Sequence, residues 1–177
     1  MSKGLSNKLA GQVGEFLVCA ELGRRGLIAT PFSGNVPEYD LIVADESLKT
    51  LPVQVKTSRS HSWPTRADHW INVTLIEKKK KQIDNGNREI SHPELIYVCV
   101  ALAPSGSDAQ DRYFILLKKD LQLICATNYR AWMQKHNWSR PKNFRSLDNR
   151  YCISNLEDFE DNWDLFEKQL AATNNKD

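Results

Sequence analysis

The sequence predicts an α/β fold, a mixed β-sheet flanked by helices. Two observations carry this. The chain opens with helical periodicity and passes into short runs of strand character, and a valine-rich run, "ELIYVCVALA", later precedes alternating strand and helix patterns. A helix, then strands, then strands interleaved with helices is the order of a sheet covered by helices.

In "SNKLAGQVGEFLVCAELGRRG", Leu9, Val13, Phe16, Leu17 and Ala20 fall at helical spacing, with Gly26 as the stop. Lys8, Gln12 and Glu15 share another face of that helix. "LIAT" reads as a first strand, "SGNVPE" as a loop and "YDLIVAD" as a second strand. After the turn "SLKT", "LPVQVKTS" is a third strand with Pro52 near its start, where a missing N–H does least harm. A basic and aromatic stretch leads to "HWINVTLI", and "KKKKQIDNGNREIS" reads as polar and turn-like. "ELIYVCVALA" is expected to be a strand covered on both faces. "RYFILL" is another strand, followed by a helix, "DLQLICATNYRAWMQKHN", with Asp120 as its cap. The stripe Leu121, Ile124, Cys125, Ala131 and Trp132 on this helix suits the core or a subunit contact. In the tail, Ser154 and Glu157 stand in capping-box spacing, and Leu156, Phe159, Trp163, Phe166 and Leu170 form one stripe. A docked helix is expected there, with "AATNNKD" fraying beyond it.

At 177 residues, 41% hydrophobic and 26% charged, the chain suits one domain with one core. No linker or repeat divides it. No apolar run is long enough to span a membrane, and "MSKGLSNKLAGQ" lacks the layout of a signal peptide, so a cytoplasmic protein is expected. Cys19, Cys99, Cys125 and Cys152 are widely spaced, as reduced structural cysteines would be. From Tyr151 onward there are two basic and seven acidic residues, which leaves 22 basic against 15 acidic before it. A basic body with an acidic end is compatible with a polyanionic partner.

Chemistry concentrates in "VPEYDLIVAD" and "LPVQVKTS". Alternation in a strand sets Asp40 on a face with Ile42 and Ala44, and sets Gln54 with Lys56 apart from Val53 and Val55. If the two strands pair, Asp40, Gln54 and Lys56 converge at one end of the sheet, with Glu15 able to close the patch. An aspartate with further oxygen ligands suits a hard divalent cation such as Mg2+. A lysine beside that ion can serve an attacking water or neutralise charge building on a phosphate. Such a group hydrolyses phosphodiesters. The similar spacing Glu77, Lys78, Lys79 is set aside, because "EKKKK" is more simply a solvated face.

Glu15 in the first helix, Asp40 in "PEYDLIV" and "QVK" at Gln54 to Lys56 resemble the PD-(D/E)XK nuclease superfamily, in particular its Holliday-junction-resolvase-like branch. The resemblance covers residues 5 to 58, with Leu95 to Ala101 suiting a later core strand. It implies a restriction-endonuclease-like fold with an αβββαβ core at about residues 5–117 and a C-terminal helical extension at about 118–171. It further implies Mg2+, with Mn2+ as a substitute, and DNA as the partner. Asp40, Gln54, the Val55 carbonyl and Glu15 would hold the metal, with Lys56 serving the nucleophile. Gln54 stands where the family usually has an acid, which removes one negative charge from the site.

"KTSRSHSWPTRADHW" interleaves Arg59, His61, Trp63, Arg66, His69 and Trp70, and Lys78, Lys79 and Lys80 follow. With Lys8, the residues Arg59, His61, Arg66 and Lys78 to Lys80 are the expected nucleic-acid contacts, while the tryptophans also suit a local apolar cluster. No GxSxG, Walker A or GxGxxG sequence is present, which argues against a serine hydrolase or a nucleotide-cofactor enzyme. The expected protein is a Mg2+-dependent DNA endonuclease acting as a homodimer, since cutting two strands takes two sites. The alternative is a nuclease-fold module that binds DNA or protein with weakened or lost chemistry.

Overall fold

A computed structural model describes residues 6–32 and 38–172. The first helix, α1, spans Asn7–Arg24 and is capped by the Ser6 hydroxyl, which accepts the Leu9 N–H at 3.2 Å. Gly26, at φ +80°, turns the chain out of the helix, as a residue without Cβ does most easily. The buried positions of α1 are Ala10, Gly14, Val18 and Leu22, four residues apart, whereas Leu9, Phe16 and Ala20 of the expected stripe are exposed. Gly14 faces the sheet because the helix sits very close to β3 at that point.

The strands follow as β1 (Ile28–Pro31), β2 (Leu41–Ala44), β3 (Thr50–Ser58), β4 (Ser62–Arg66), β5 (Ile71–Ile76), β6 (Lys81–Asn87), β7 (Ile96–Ala101) and β8 (Arg112–Leu117). Helix α2 (Lys118–Lys135), strand β9 (Asp148–Cys152) and helix α3 (Asp164–Ala172) complete the chain. The main sheet has the order β1-β2-β3-β7-β8, with β3 parallel to β7 and the other pairs antiparallel. All six residues of β7 are buried, as expected for a strand covered on both faces.

One face of the sheet packs Leu41, Val43, Val53, Val55, Val98 and Ile115 against α1, with Trp163 and Phe166 joining from the tail. The other packs Tyr97, Cys99, Phe114 and Leu116 against Trp63, Trp70, Leu121 and Tyr151. Both tryptophans are therefore core residues. Trp63 stacks on Tyr151 at 5.4 Å and donates its Nε1–H to the Lys56 carbonyl at 2.8 Å. All four cysteines are free, and Cys99 and Cys125 are buried.

Several expectations differ from what is found. The helix that an αβββαβ order puts between the third and fourth core strands is not found there among the described residues. The span carries β4, β5 and β6, and α2 follows β8. "KKKKQIDNGNREIS", expected to be a turn, supplies β6, which pairs with β5. Its buried residue is Gln82, whose amide donates to the Phe144 and Ser146 carbonyls, so apolar periodicity gave no sign of it. The C-terminal extension is not wholly helical, because β9 pairs with β4. Asp120 is not the cap of α2 but lies within its first turn, where its carboxylate accepts the Leu117 N–H at 3.2 Å.

The tail docks its stripe but not as one helix capped by Ser154 and Glu157. Short 3-10 turns at Ile153–Asn155 and Glu157–Phe159 precede α3, because the Asp161 N–H donates to the Tyr113 carbonyl and holds the chain on β8. The "SGNVPE" loop, apart from Glu38, lies outside the described residues, as do residues 173–177. No helix among the described residues is long and apolar enough to cross a membrane.

Candidate active site at the open end of strand β3

Strand β3 outruns its neighbour. Pairing with β2 begins at Leu41 opposite Val53, and the Asp40 N–H donates to the Val53 carbonyl at 2.8 Å. Past that point β2 has ended, so the next outward-facing peptide group of β3 needs another partner. Asp40 supplies it, its Oδ2 accepting the Val55 N–H at 2.8 Å. The same oxygen accepts the Gln54 side-chain amide N–H. Glu38, at φ 77°, turns the chain just before Asp40, and its carboxylate accepts the Ser91 hydroxyl at 3.0 Å.

Gln54 is buried opposite Tyr97, and Lys56 is exposed opposite Cys99. Glu15 reaches the group from α1. Its carboxyl is raised above the ordinary 4.5 by burial first and by the Asp40 charge second, with Lys56 pulling the other way. Its position follows from the closeness of α1 to β3. A Cβ on Gly14 would lie 1.9 Å from Thr57 Oγ1, so only glycine lets the helix seat Glu15 at this depth. The Thr57 hydroxyl is itself buried with no hydrogen-bond partner among the described residues.

Glu15, Asp40, Gln54 and Lys56 are thus brought together. The side-chain oxygens of Glu15, Asp40 and Gln54 are of the kind that could hold a hard cation. Asp40 keeps Oδ1 and Gln54 keeps Oε1 without a hydrogen-bond donor among the described residues. The Val55 carbonyl points to the same side as its N–H, toward the gap left by β2. No cluster of three His, Cys, Asp or Glu side chains fit for a metal exists among the described residues, because Gln54 takes the place of a third acid. Carboxylate, amide and carbonyl oxygens nevertheless suit Mg2+, which keeps several waters and needs few protein ligands.

The expected nucleic-acid contacts divide. Lys8 is exposed at the start of α1, and Arg59, just past β3, donates to Asn7 Oδ1 at 3.2 Å, so both lie near this end of the sheet. His61 is exposed at φ 56° in the β3–β4 turn. Arg66 forks onto Asp68 at 3.0 and 2.8 Å. Lys78, Lys79 and Lys80 lie at the β5–β6 turn, which is tied to the segment after α2 by the Ser139 hydroxyl on the Lys80 carbonyl and by Arg145 on Glu77. Those ties run to Ser139 and Arg145 and not to a residue of the Asp40 group.

Sequence reasoning missed a cleft of about 900 Å3 beside Lys56, whose lining includes Glu38, Trp70, Arg88, Tyr97 and Lys118. The Tyr97 hydroxyl is pushed up to about 12, mainly by burial, so it stays protonated at neutral pH. Its position opposite Gln54 was open to inference once the "VQVK" and "IYVC" runs were paired. Arg88 and Lys118 carried no such signal.

Among solved structures, the bacterial homing endonuclease I-Ssp6803I matches over 97% of this chain and 100% of its own, at a TM-score of 0.55 and 11% identity. The chain has the restriction-endonuclease-like fold. The Holliday junction resolvase Hjc of Archaeoglobus fulgidus also matches, over 83% of this chain and 87% of its own, at a TM-score of 0.39 and 11% identity. No protein-family model and no curated protein matches the sequence. On this fold, the Asp40 group occupies the junction of α1, β2 and β3.

Proposed function

We propose that the protein is a metal-dependent DNA endonuclease. The observation that carries this reading is the gathering of Glu15, Asp40, Gln54 and Lys56 where β3 passes the end of β2. The likeness of its fold to that of a homing endonuclease supports it as analogy. Asp40, Gln54 Oε1 and the Val55 carbonyl would hold Mg2+ or Mn2+, with Glu15 the fourth oxygen group. When bound, the cation supplies Lewis-acid stabilisation of the phosphate and makes water a better nucleophile at neutral pH.

The chain's own groups do the rest. Lys56 is exposed at the site, free to orient the attacking water or to neutralise charge on the phosphate in the transition state. Asp40 fixes the end of β3 through the Val55 N–H and so holds Lys56 in register. The buried Gln54 amide is held by Asp40 through its nitrogen. Turning the amide about its last bond exchanges nitrogen for oxygen and presents Oε1 to the same place. Lys8 and Arg59 would hold flanking phosphates, and His61, Arg66 and Lys78 to Lys80 would make outlying contacts. The described residues of each chain carry one such site, so cutting both strands calls for a homodimer, working in the cytoplasm.

The test is cleavage of duplex and branched DNA in Mg2+ and Mn2+. Asp40→Ala and Lys56→Ala should each abolish cleavage, a loss of at least about a hundredfold for removal of a group that stabilises developing charge. Cleavage at the wild-type rate in either variant contradicts the reading. A second reading, a nuclease-fold DNA-binding module without chemistry, is favoured by the neutral Gln54. Its signature is salt-sensitive binding by the wild type with no cleavage in either metal.

A further inference from the structure

The cleft beside Lys56 has a construction that the cutting chemistry does not explain. It shares Lys56 with the Asp40 group and Tyr97 with the strand position opposite Gln54, so the two are continuous. Away from Lys56 it is walled by Arg88, from the segment after β6, and by Lys118, the first residue of α2. Among the described residues, none of Lys56, Arg88 and Lys118 has a carboxylate at ion-pair distance, although Glu38 and Glu89 also line the cleft. Of these, Glu38 already faces His92 at 3.6 Å.

The wall is fixed in advance. The buried Gln122 amide donates to the Trp70 carbonyl at 2.8 Å and to the Arg88 carbonyl at 2.7 Å, and the Arg88 N–H donates to the Trp70 carbonyl at 3.0 Å. Arg88 itself donates to the Asp68 carbonyl at 2.8 Å, and Lys118 to the Ser91 carbonyl at 2.8 Å. Both cations are therefore held by neutral oxygens, which position them without cancelling their charge. Positioned, uncancelled cations in a concave track beside a phosphate-cutting lysine suit a polyanionic chain.

We propose that this cleft carries the sugar-phosphate backbone of the DNA strand being cut, with Arg88 and Lys118 holding phosphates next to the scissile one. This rests on the nuclease reading above. The two residues touch non-reacting phosphates, so they contribute to binding rather than to the chemical step, and their loss raises KM more than it lowers kcat.

The experiment measures DNA binding by the full chain in EDTA from about 50 to 200 mM salt, followed by cleavage in Mg2+. Arg88→Gln and Lys118→Gln remove the charge and leave a neutral amide donor on a shorter side chain. Each should lower the slope of log affinity against log salt by about 0.9, and the affinity about fivefold near 0.15 M salt. Arg88→Lys should restore the slope, and thermal melts identify any variant that has merely unfolded. Lys135→Gln is the control, at the opposite end of α2 and about 25 Å away at 1.5 Å per residue, and should leave the slope unchanged.

Wild-type slopes in both cleft variants overturn the proposal, and wild-type cleavage in that case leaves the nuclease reading standing. Reduced slopes without cleavage by the wild type keep the cleft and remove the nuclease reading. An absence of DNA binding by the wild type at every salt concentration overturns both.

Discussion

Asp40 and Lys56 stand out in the sequence because each puts charge where a strand pattern calls for burial. The structure resolves both by the same local fact, the early end of β2. Asp40 closes the exposed edge of β3, and Lys56 projects beyond the covered part of the sheet. That much was legible because strand, turn and strand are contiguous in the chain. The role of Gln54 was less so, since its hydrogen bond to Asp40 depends on side-chain placement. Glu15 gives the sharpest test at this scale. Its carboxyl is raised by burial and by Asp40, so the fold favours the neutral form. The associated stability is fully present below the ordinary value of 4.5 and is lost as pH rises through the folded value. Glu15→Gln should therefore raise the melting temperature in EDTA at pH 7, with the gap closing as pH falls below about 4. A gap that does not change with pH would show that the fold does not hold Glu15 in its neutral form.

Elements announced by apolar periodicity were legible. These are α1, the strands of the main sheet and α2. Those that satisfy themselves with polar side chains were not. β6 hides behind Gln82, and β9, "DNRYC", buries only Tyr151 while the Asn149 side chain donates to the Cys125 carbonyl at 2.8 Å. The stripe expected on α1 holds only in part, since Val13 and Leu17 pack on the core while Leu9, Phe16 and Ala20 are exposed, and the cause is related. Hydrophobicity ranks Leu9 and Phe16 above Gly14, yet close approach to β3 selects the smaller residue. Gly14→Ala should cost about 1–3 kcal/mol through overpacking against Thr57, and should lower cleavage with it by displacing Glu15. Gly11→Ala, on the same helix with open space around it, should stabilise by about 0.5–1 kcal/mol. Chemical denaturation of the two variants separates helix propensity from helix seating. Equal effects would remove the close approach as the reason for glycine at position 14.

For the whole molecule, the charge gradient in the sequence becomes a docking arrangement. The acidic tail lies on the basic body, with Glu160 paired to Arg112 at 2.5 Å and Arg25 over the Trp163 ring at 4.3 Å. Trp163, Phe166 and Leu170 are buried, so the apolar stripe of the tail is spent on the chain's own core. Arg88 and Lys118, by contrast, meet beside Lys56 only through tertiary packing set by Gln122, and no spacing in the sequence could reveal them. On the proposed function, Asp40, Gln54 and the Val55 carbonyl form a cation site that Lys56 serves. The most direct measurement is anomalous diffraction from a crystal of the protein soaked in Mn2+. A peak is expected between those three oxygen groups, and it should disappear in Asp40→Ala. No peak at saturating Mn2+, with the Lys56 ammonium filling that space, would contradict it.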